Sequence, residues 1–333
     1  MYHPRLRGSY YEMGLRYGTV LRKHGFKLPE VSAETLALGN KCEDEVKRHF
    51  PDILEEIRGF ADGCELNHEA LRAFIITVGA TEPPKQCSIF AVADGSKVMF
   101  GRNYDFYYRI KKHTESYLTA PAGGYKSLGT TDIFVGREDG VNENGLAIGI
   151  SSVASKTIAP GLSFALAVRY ILDKCKTVQQ AVEFLTKVHF LTANSYLLAD
   201  KSGNMAVVEA SPEKVSVRAA ENGRRFVVAT NHYIGEEMKS VENLEKRPPD
   251  SVKRYKTITR ALSQNNGGLE QKAVKDILSD HSGLVCSHID AIQLGTLWSI
   301  IANLTKLKVL RAEGHPCKTR YQLDTRLRSR RPE

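Results

Sequence analysis

The chain has no apolar run near the roughly 18 residues that a membrane-spanning helix needs; stretches such as Ala73 to Ala80 are among its longest. Its opening residues, MYHPRLRGSYYEMG, lack the apolar centre of a secretory signal. The six cysteines, at positions 42, 64, 87, 175, 286 and 317, form no CxxC pair. A disulfide framework is therefore not expected, and a reducing, cytoplasmic setting is. Cys42, Cys64 and Cys175 fall in helix-like stretches and read as buried, inert thiols. Aromatic residues make up only 8% of the chain, with one tryptophan, and they do not interleave with basic residues in a stripe. The formal charge of +9 therefore does not read as a nucleic-acid surface, and much of it crowds into a solvated tail from Lys318 to Arg331. Internal repeats and low-complexity segments are absent as well.

What is present is an ordinary globular composition: 333 residues, 42% of them apolar, enough to bury a large core in one or two domains. Residues 1 to 82 read as helical. Leu71, Phe74, Ile75 and Val78 recur at helical spacing behind Asn67, and Pro51 opens a helix carrying Ile53, Ile57 and Phe60. Pro83-Pro84 marks a junction, after which the texture turns to strands: SIFAVA, a turn at Asp94-Gly95, then KVMFG running into Arg102-Asn103-Tyr104-Asp105. Further strands are expected at Ile133 to Val135 and Leu146 to Ser151, joined through Asn142 to Gly145, and again from Ser195 to Asn231 with turns at 201–203 and 221–223. Helices are expected from Ser163 to Leu172, after the capping pair Thr177 and Gln180, and near 252–262 and 271–278. Strands at 296–302 and 308–312 close the chain. Hairpin-sized sets of strands and paired helices predict an α+β fold of antiparallel sheets covered by helices.

The hairpin would bring Cys87, Arg102 and Asp105 to one end. A guanidinium beside a thiol favours thiolate, and a carboxylate can orient a nearby amine. Spacing alone leaves open that the arginine and the aspartate form a surface ion pair. Cys286, His288 and Cys317 lack the paired spacing of a structural zinc site, so no metal or other cofactor is expected. Asn231-His232 fits either a pocket wall or a turn cap.

The run CSIFAVADGSKVMFGRNYDF resembles the opening of mature cysteine N-terminal-nucleophile hydrolases, the choloylglycine hydrolase and penicillin V acylase group and acid ceramidase, and above all the penicillin (isopenicillin N) acyltransferase family. GSYYEMGLRYG, NENGLAIGIS, NSYLLADKSGNMAVVEASP, TNHY, SVKR, DHSGLVCSH and GHPCKTRYQL are similar to further segments of that family, in order. The resemblance implies a four-layer αββα sandwich. It implies a helical propeptide, residues 1–86, cut from a catalytic domain, residues 87–333, between Gln86 and Cys87. It also implies that Cys87 is nucleophile and base in one residue, that Asp105 holds its α-amine, that Arg102 steadies the thiolate or Asp105, that Asn194 donates to an oxyanion, and that Arg254 positions the catalytic groups. Read from the residues alone, Asn194 is a strand-start cap and Arg254 a surface residue. That family has glycine before its nucleophile where this chain has Gln86. The expected activity is hydrolysis or acyl transfer on a small linear amide, with the two cleaved pieces staying associated and no nucleic-acid or membrane partner. The competing reading is a basic binding protein with Cys87 as a buried thiol.

Overall fold

The structure, a computed structural model, describes residues 1–81, 85–95, 97–220, 225–264 and 270–328. The expected Pro83-Pro84 junction and the turn at 221–223 lie outside the described residues. Residues 1–81 carry β1 (Arg5–Gly8) and four helices, α1 (Tyr10–Lys23), α2 (Ala33–His49), α3 (Pro51–Cys64) and α4 (His68–Ile76). Each helix has a local reason to start. Ser9 and Glu12 form a capping box on α1, Ser32 and Asn67 accept from backbone amides of α2 and α4, and Pro51 sits in the first turn of α3. Gly14 and Gly59 allow α1 and α3 to touch backbone to backbone: a Cβ on Gly14 would lie 1.9 Å from the Glu56 carbonyl oxygen.

One sheet has eight strands in the order β1, β4 (Glu115–Pro121), β5 (Ser127–Thr131), β6 (Asp139–Asn142), β7 (Ala147–Ser152), β8 (Asn194–Ala199), β9 (Met205–Ala210), β10 (Val215–Ala219). The other follows the order β11 (Phe226–Ala229), β2 (Gln86–Asp94), β3 (Lys97–Tyr107), β13 (Leu294–Asn303), β14 (Lys308–Ala312), β15 (Gln322–Asp324), with β12 (His288–Ile289) pairing β13. Among these named strands every pairing is antiparallel except β1 with β4.

Three buried apolar clusters define four layers. One lies between the eight-stranded sheet and α1 to α4 with α5 (Phe164–Lys174) and α6 (Val178–Leu185). A second lies between the sheets, where Ile89, Phe100 and Tyr104 meet Leu118, Leu128 and Leu197. The third lies between the second sheet and α7 (Ser251–Gln264) and α8 (Gln271–Leu278). This is the expected αββα sandwich, and among the described residues no helix is long and apolar enough to cross a membrane.

Two expectations need correcting. Residues 1–82 are not helical throughout, because β1 extends the eight-stranded sheet through β4. Ile133 to Val135 is not a strand: Phe134 sits at φ 54°, and its ring packs against Phe26, Phe60 and Phe74. The apolar triplet caps the helical layer, while the strand of that region is the polar SLGTT of β5.

Candidate active site

Cys87 is the second residue of β2, opposite Tyr104 of β3, while Ile89 faces Arg102 and Gln86 faces Asp105. Because side chains alternate along a strand, Cys87, Arg102 and Tyr104 share the face between the sheets, and Ser88, Asn103 and Asp105 share the face toward α7 and α8. The hairpin thus brings the three sequence-predicted residues to one end but puts Asp105 on the opposite face from the thiol.

Between the sheets, Arg102 Nη2 donates to Cys87 Sγ at 3.3 Å and to the Ile150 carbonyl at 3.0 Å, and Arg102 Nη1 pairs closely with Asp139. Asp139 also accepts from Trp298 Nε1 at 2.9 Å. Lys85, two residues before Cys87, pairs with Glu138 at 2.6 Å and Asp132 at 3.3 Å. Cys87 is fully buried, and burial pushes its thiol up to about 12 although Arg102 pulls the other way. The guanidinium does not produce the low thiol pKa that the spacing predicts, because dehydration of the sulfur is the larger effect.

On the other face, Thr296 Oγ1 donates to Asp105 Oδ1 at 2.6 Å. A bulge in β13 between Thr296 and Trp298 turns these two residues to opposite faces of the sheet, one toward Asp105 and the other stacked on Tyr104 at 3.8 Å. Asp105 Oδ2 is buried without a hydrogen-bond partner. Burial raises the Asp105 carboxyl from an ordinary 3.8 to about 6, against the pull of Arg254, Thr296 and Arg102.

The edge between the faces is closed by Asn231, which follows β11. Its Oδ1 accepts from the Cys87 backbone N–H at 2.9 Å and from Arg254 Nη2 at 2.8 Å; its Nδ2 donates to the Lys85 carbonyl at 2.6 Å and the Ser152 carbonyl at 2.8 Å. Two donors on one side and two acceptors on the other fix the amide orientation, since a flipped amide would face like with like. Arg254 Nη1 also reaches the Cys87 carbonyl and Ser88 Oγ. Arg254, which helix periodicity alone would leave on the surface, is fully buried. Asn231 therefore grips the chain on both sides of Gln86, at the Lys85 carbonyl and at the Cys87 N–H. The sequence left Asn231 undecided; the TNHY segment was the signal for it.

Asn194 opens β8 opposite Ser152, and its Nδ2 makes only long contacts to Thr192, at 3.3 Å to the carbonyl and 3.2 Å to Oγ1. It lines a cavity of about 410 Å³ together with Lys85, Ser152, Ile158, Phe164 and Lys246. Since Lys85 and Ser152 are the two carbonyls that Asn231 holds, the cavity wall is one side chain away from the Cys87 nitrogen. His232 points its Nδ1 at Ser251 Oγ, 2.7 Å away, and burial lowers its pKa to about 4. Among the described residues no histidine ring hydrogen-bonds to Cys87 Sγ.

The family described as acyl-coenzyme A:6-aminopenicillanic acid acyl-transferase matches residues 92–318, more than half of the chain. This protein belongs to that family. A relative from Emericella nidulans, the acyl-coenzyme A:6-aminopenicillanic-acid-acyltransferase 40 kDa form, is 24% identical over 293 residues, covering 81% of this chain and 80% of the relative. Among solved structures, a variant of the conjugated bile acid hydrolase from Clostridium perfringens aligns with a TM-score of 0.51 at 13% identity, over 72% of this chain and 96% of that one. Penicillin V acylase from Agrobacterium tumefaciens aligns with a TM-score of 0.48 at 18% identity, over 68% of this chain and 82% of that one. The first of these two likenesses is one of fold, and it agrees with the αββα sandwich described above.

The Asp105 geometry has a measurable consequence. Between about pH 4 and 6 the folded chain holds a proton that the unfolded chain has released, so this carboxyl's contribution to stability falls as pH rises through that window, by about 3 kcal/mol in all. Asp105→Asn cannot ionise. In a Cys87→Ala background, urea unfolding should show the Asp105→Asn chain gaining about 3 kcal/mol relative to its parent between pH 4 and 7, whatever the constant offset between them. Parallel curves would mean that Asp105 is ionised throughout.

Proposed function

We propose that this chain is a cysteine N-terminal-nucleophile enzyme that cuts itself between Gln86 and Cys87 and then breaks or forms a linear, non-peptide amide through an acyl-Cys87 thioester. The observation that carries this reading is the Asn231 clamp, which fixes the Lys85 carbonyl and the Cys87 nitrogen on either side of Gln86, beside a cavity. An amide nitrogen cannot accept a proton, so before cleavage the thiol has one substrate within reach, the Gln86 carbonyl. Attack forms the S–C bond as the C–N bond breaks. The nitrogen leaves as an amine, and water then opens the thioester to free the thiol and the Gln86 carboxyl.

The freed α-amine has an ordinary pKa of about 7.7 to 8.0 and serves as the base for its own thiol. Asn231 Oδ1 keeps it in place, and the orphaned Asp105 Oδ2 is a second acceptor for the N–H groups it gains. Arg102 counters the cost of thiolate. Asn194, in the cavity wall with an amide spent only on long local contacts, donates to the oxyanion of the substrate; one such donor is worth about 100- to 1000-fold in rate. Departure of the Gln86 end opens the cavity to the sulfur, and its volume, toward the lower part of the range of small-molecule sites, suits a modest acyl group on Phe164 and Ile158.

The pieces stay together in this reading. Arg169 of α5 grips Glu56 of α3 through two hydrogen bonds of 3.1 and 2.8 Å, Tyr10 reaches Asp173 at 3.0 Å and Tyr17 reaches Glu115 at 2.6 Å, all buried. Residues 1–86 are then a retained subunit, and we place the enzyme in the cytoplasm.

The test is a pH profile of hydrolysis across a panel of N-acyl p-nitroanilides, for processed wild type and for His232→Gln, with hydroxylamine added to trap the acyl thioester. The expected result is an ascending limb common to both proteins, set by the coupled amine and thiol, with hydroxamate formed in each. Loss of the limb in a fully cleaved, folded His232→Gln would point to a Cys-His pair instead.

A further inference from the structure

About the turn that follows α8, the chain gathers four soft donors that the reaction does not use. His281 and Cys286 lie on that turn, His288 begins β12, and Cys317 comes from the loop between β14 and β15. One ligand atom from each lies within 4.8 Å of the other three. His288 Nε2 is 3.3 Å from Cys286 Sγ and also 3.3 Å from Cys317 Sγ. A tetrahedral zinc with bonds of about 2.3 Å to sulfur and 2.0–2.1 Å to nitrogen separates its donors by roughly 3.5 to 3.8 Å, close to these edges. Hydrogen bonding does not account for the arrangement equally well. A single imidazole nitrogen has one lone pair or one proton, so it cannot serve two equidistant thiols well, whereas one cation satisfies all four groups. A disulfide between Cys286 and Cys317 would leave the His288 ring nitrogen aimed at two sulfurs with nothing to donate.

We propose that His281, Cys286, His288 and Cys317 form a structural zinc site. All four positions are taken by protein, so the metal binds no substrate. Its effect on the enzyme is through position. The turn it closes receives both protons of the Asn103 side-chain amide, on the Leu278 and Val285 carbonyls at 2.8 Å each. Ser287, next to a ligand on either side, donates its N–H to Thr296 Oγ1 at 3.1 Å, and that hydroxyl donates to Asp105 Oδ1. Zinc thereby fastens the loop that sets Thr296 and, through it, Asp105. His315, stacked on the His288 ring at 3.7 Å, holds that imidazole in line. Two sulfurs and two imidazoles select zinc over the harder divalent ions.

The test uses the full chain expressed with added zinc and purified without chelator. Elemental analysis should find about one zinc per chain. Cobalt in its place should give the intense visible bands of a tetrahedral ion and a thiolate-to-cobalt charge-transfer band. Cys286→Ser and Cys317→Ser should lose the metal, and Cys42→Ser and Cys175→Ser should keep it. Because the two ligand variants could fail to fold, His281→Ala, at the exposed ligand, supplies an independent reading: it should fold and bind zinc more weakly by at least the roughly 10- to 100-fold that losing an outer partner of a ligand costs. Zinc absent from the wild type, unchanged zinc affinity in His281→Ala, or a Cys286–Cys317 disulfide found by alkylation and intact mass would each overturn the proposal.

Discussion

Asn231→Ala should leave most of the protein as one uncut chain and should cost more stability than a truncation of this size ordinarily does. The side chain satisfies four buried or half-buried partners at once: the Cys87 N–H, the Arg254 guanidinium, and the Lys85 and Ser152 carbonyls. Leaving a buried polar group unsatisfied costs about 1–3 kcal/mol, and Arg254 retains its contact to the Cys87 carbonyl, so a loss of about 3–5 kcal/mol is expected. The kinetic effect has a separate origin. Intramolecular attack depends on near-attack geometry, and a displacement of about 1 Å is enough to lose on the order of 100-fold in rate. With the nitrogen of the scissile bond no longer anchored, cleavage should slow by about 100-fold or more. Incubating freshly purified variant and wild type side by side, with gel analysis over time and urea unfolding of each, separates the two effects. If Asn231→Ala cleaves at the wild-type rate while losing stability, Asn231 is a structural clamp with no part in positioning the bond.

Much of the layer order was legible in the chain because it rests on local signals. The Asn67 and Thr177 caps, the Asp94-Gly95 turn and the 3.6-residue apolar spacing of α3 and α4 act within a few residues of themselves, and the structure places helices and a hairpin there. The failures have physical causes of equal clarity. β1 is a four-residue strand that pairs in parallel with β4, more than a hundred residues away, so nothing near it in sequence marks it. Ile133 to Val135 carried a strand's composition but serves as a plug against the helical layer. At the site, Cys87, Arg102 and Asp105 could be assigned to one hairpin, yet the alternation that sends Asp105 to the far face depends on register, and the bulge that brings Thr296 to it lies on another strand. Asn231 and Arg254 converge on Cys87 from separate elements, so the chain alone could bring them there only through the family resemblance. His281 joins the other soft donors for a similar reason: the turn after α8 folds it back.

Cys87→Ala bears most directly on self-cleavage, because cleavage and turnover are assigned to one sulfur. The substitution removes a single buried atom from the core between the sheets, a loss of about 1 kcal/mol or little more, so the variant should fold. It should nevertheless have no amidase activity. Cys87→Ser should cut slowly at best, since a hydroxyl in this dehydrated position is a weaker nucleophile than a thiol. The deciding measurement is the intact mass of purified wild type and Cys87→Ala under denaturing conditions. The expected result is two chains for the wild type, residues 1–86 and 87–333, which travel together on a native column, and one chain of 333 residues for the variant. A Cys87→Ala protein that still separates into two chains, or a wild type that hydrolyses amides while remaining a single chain, would contradict self-activation by Cys87.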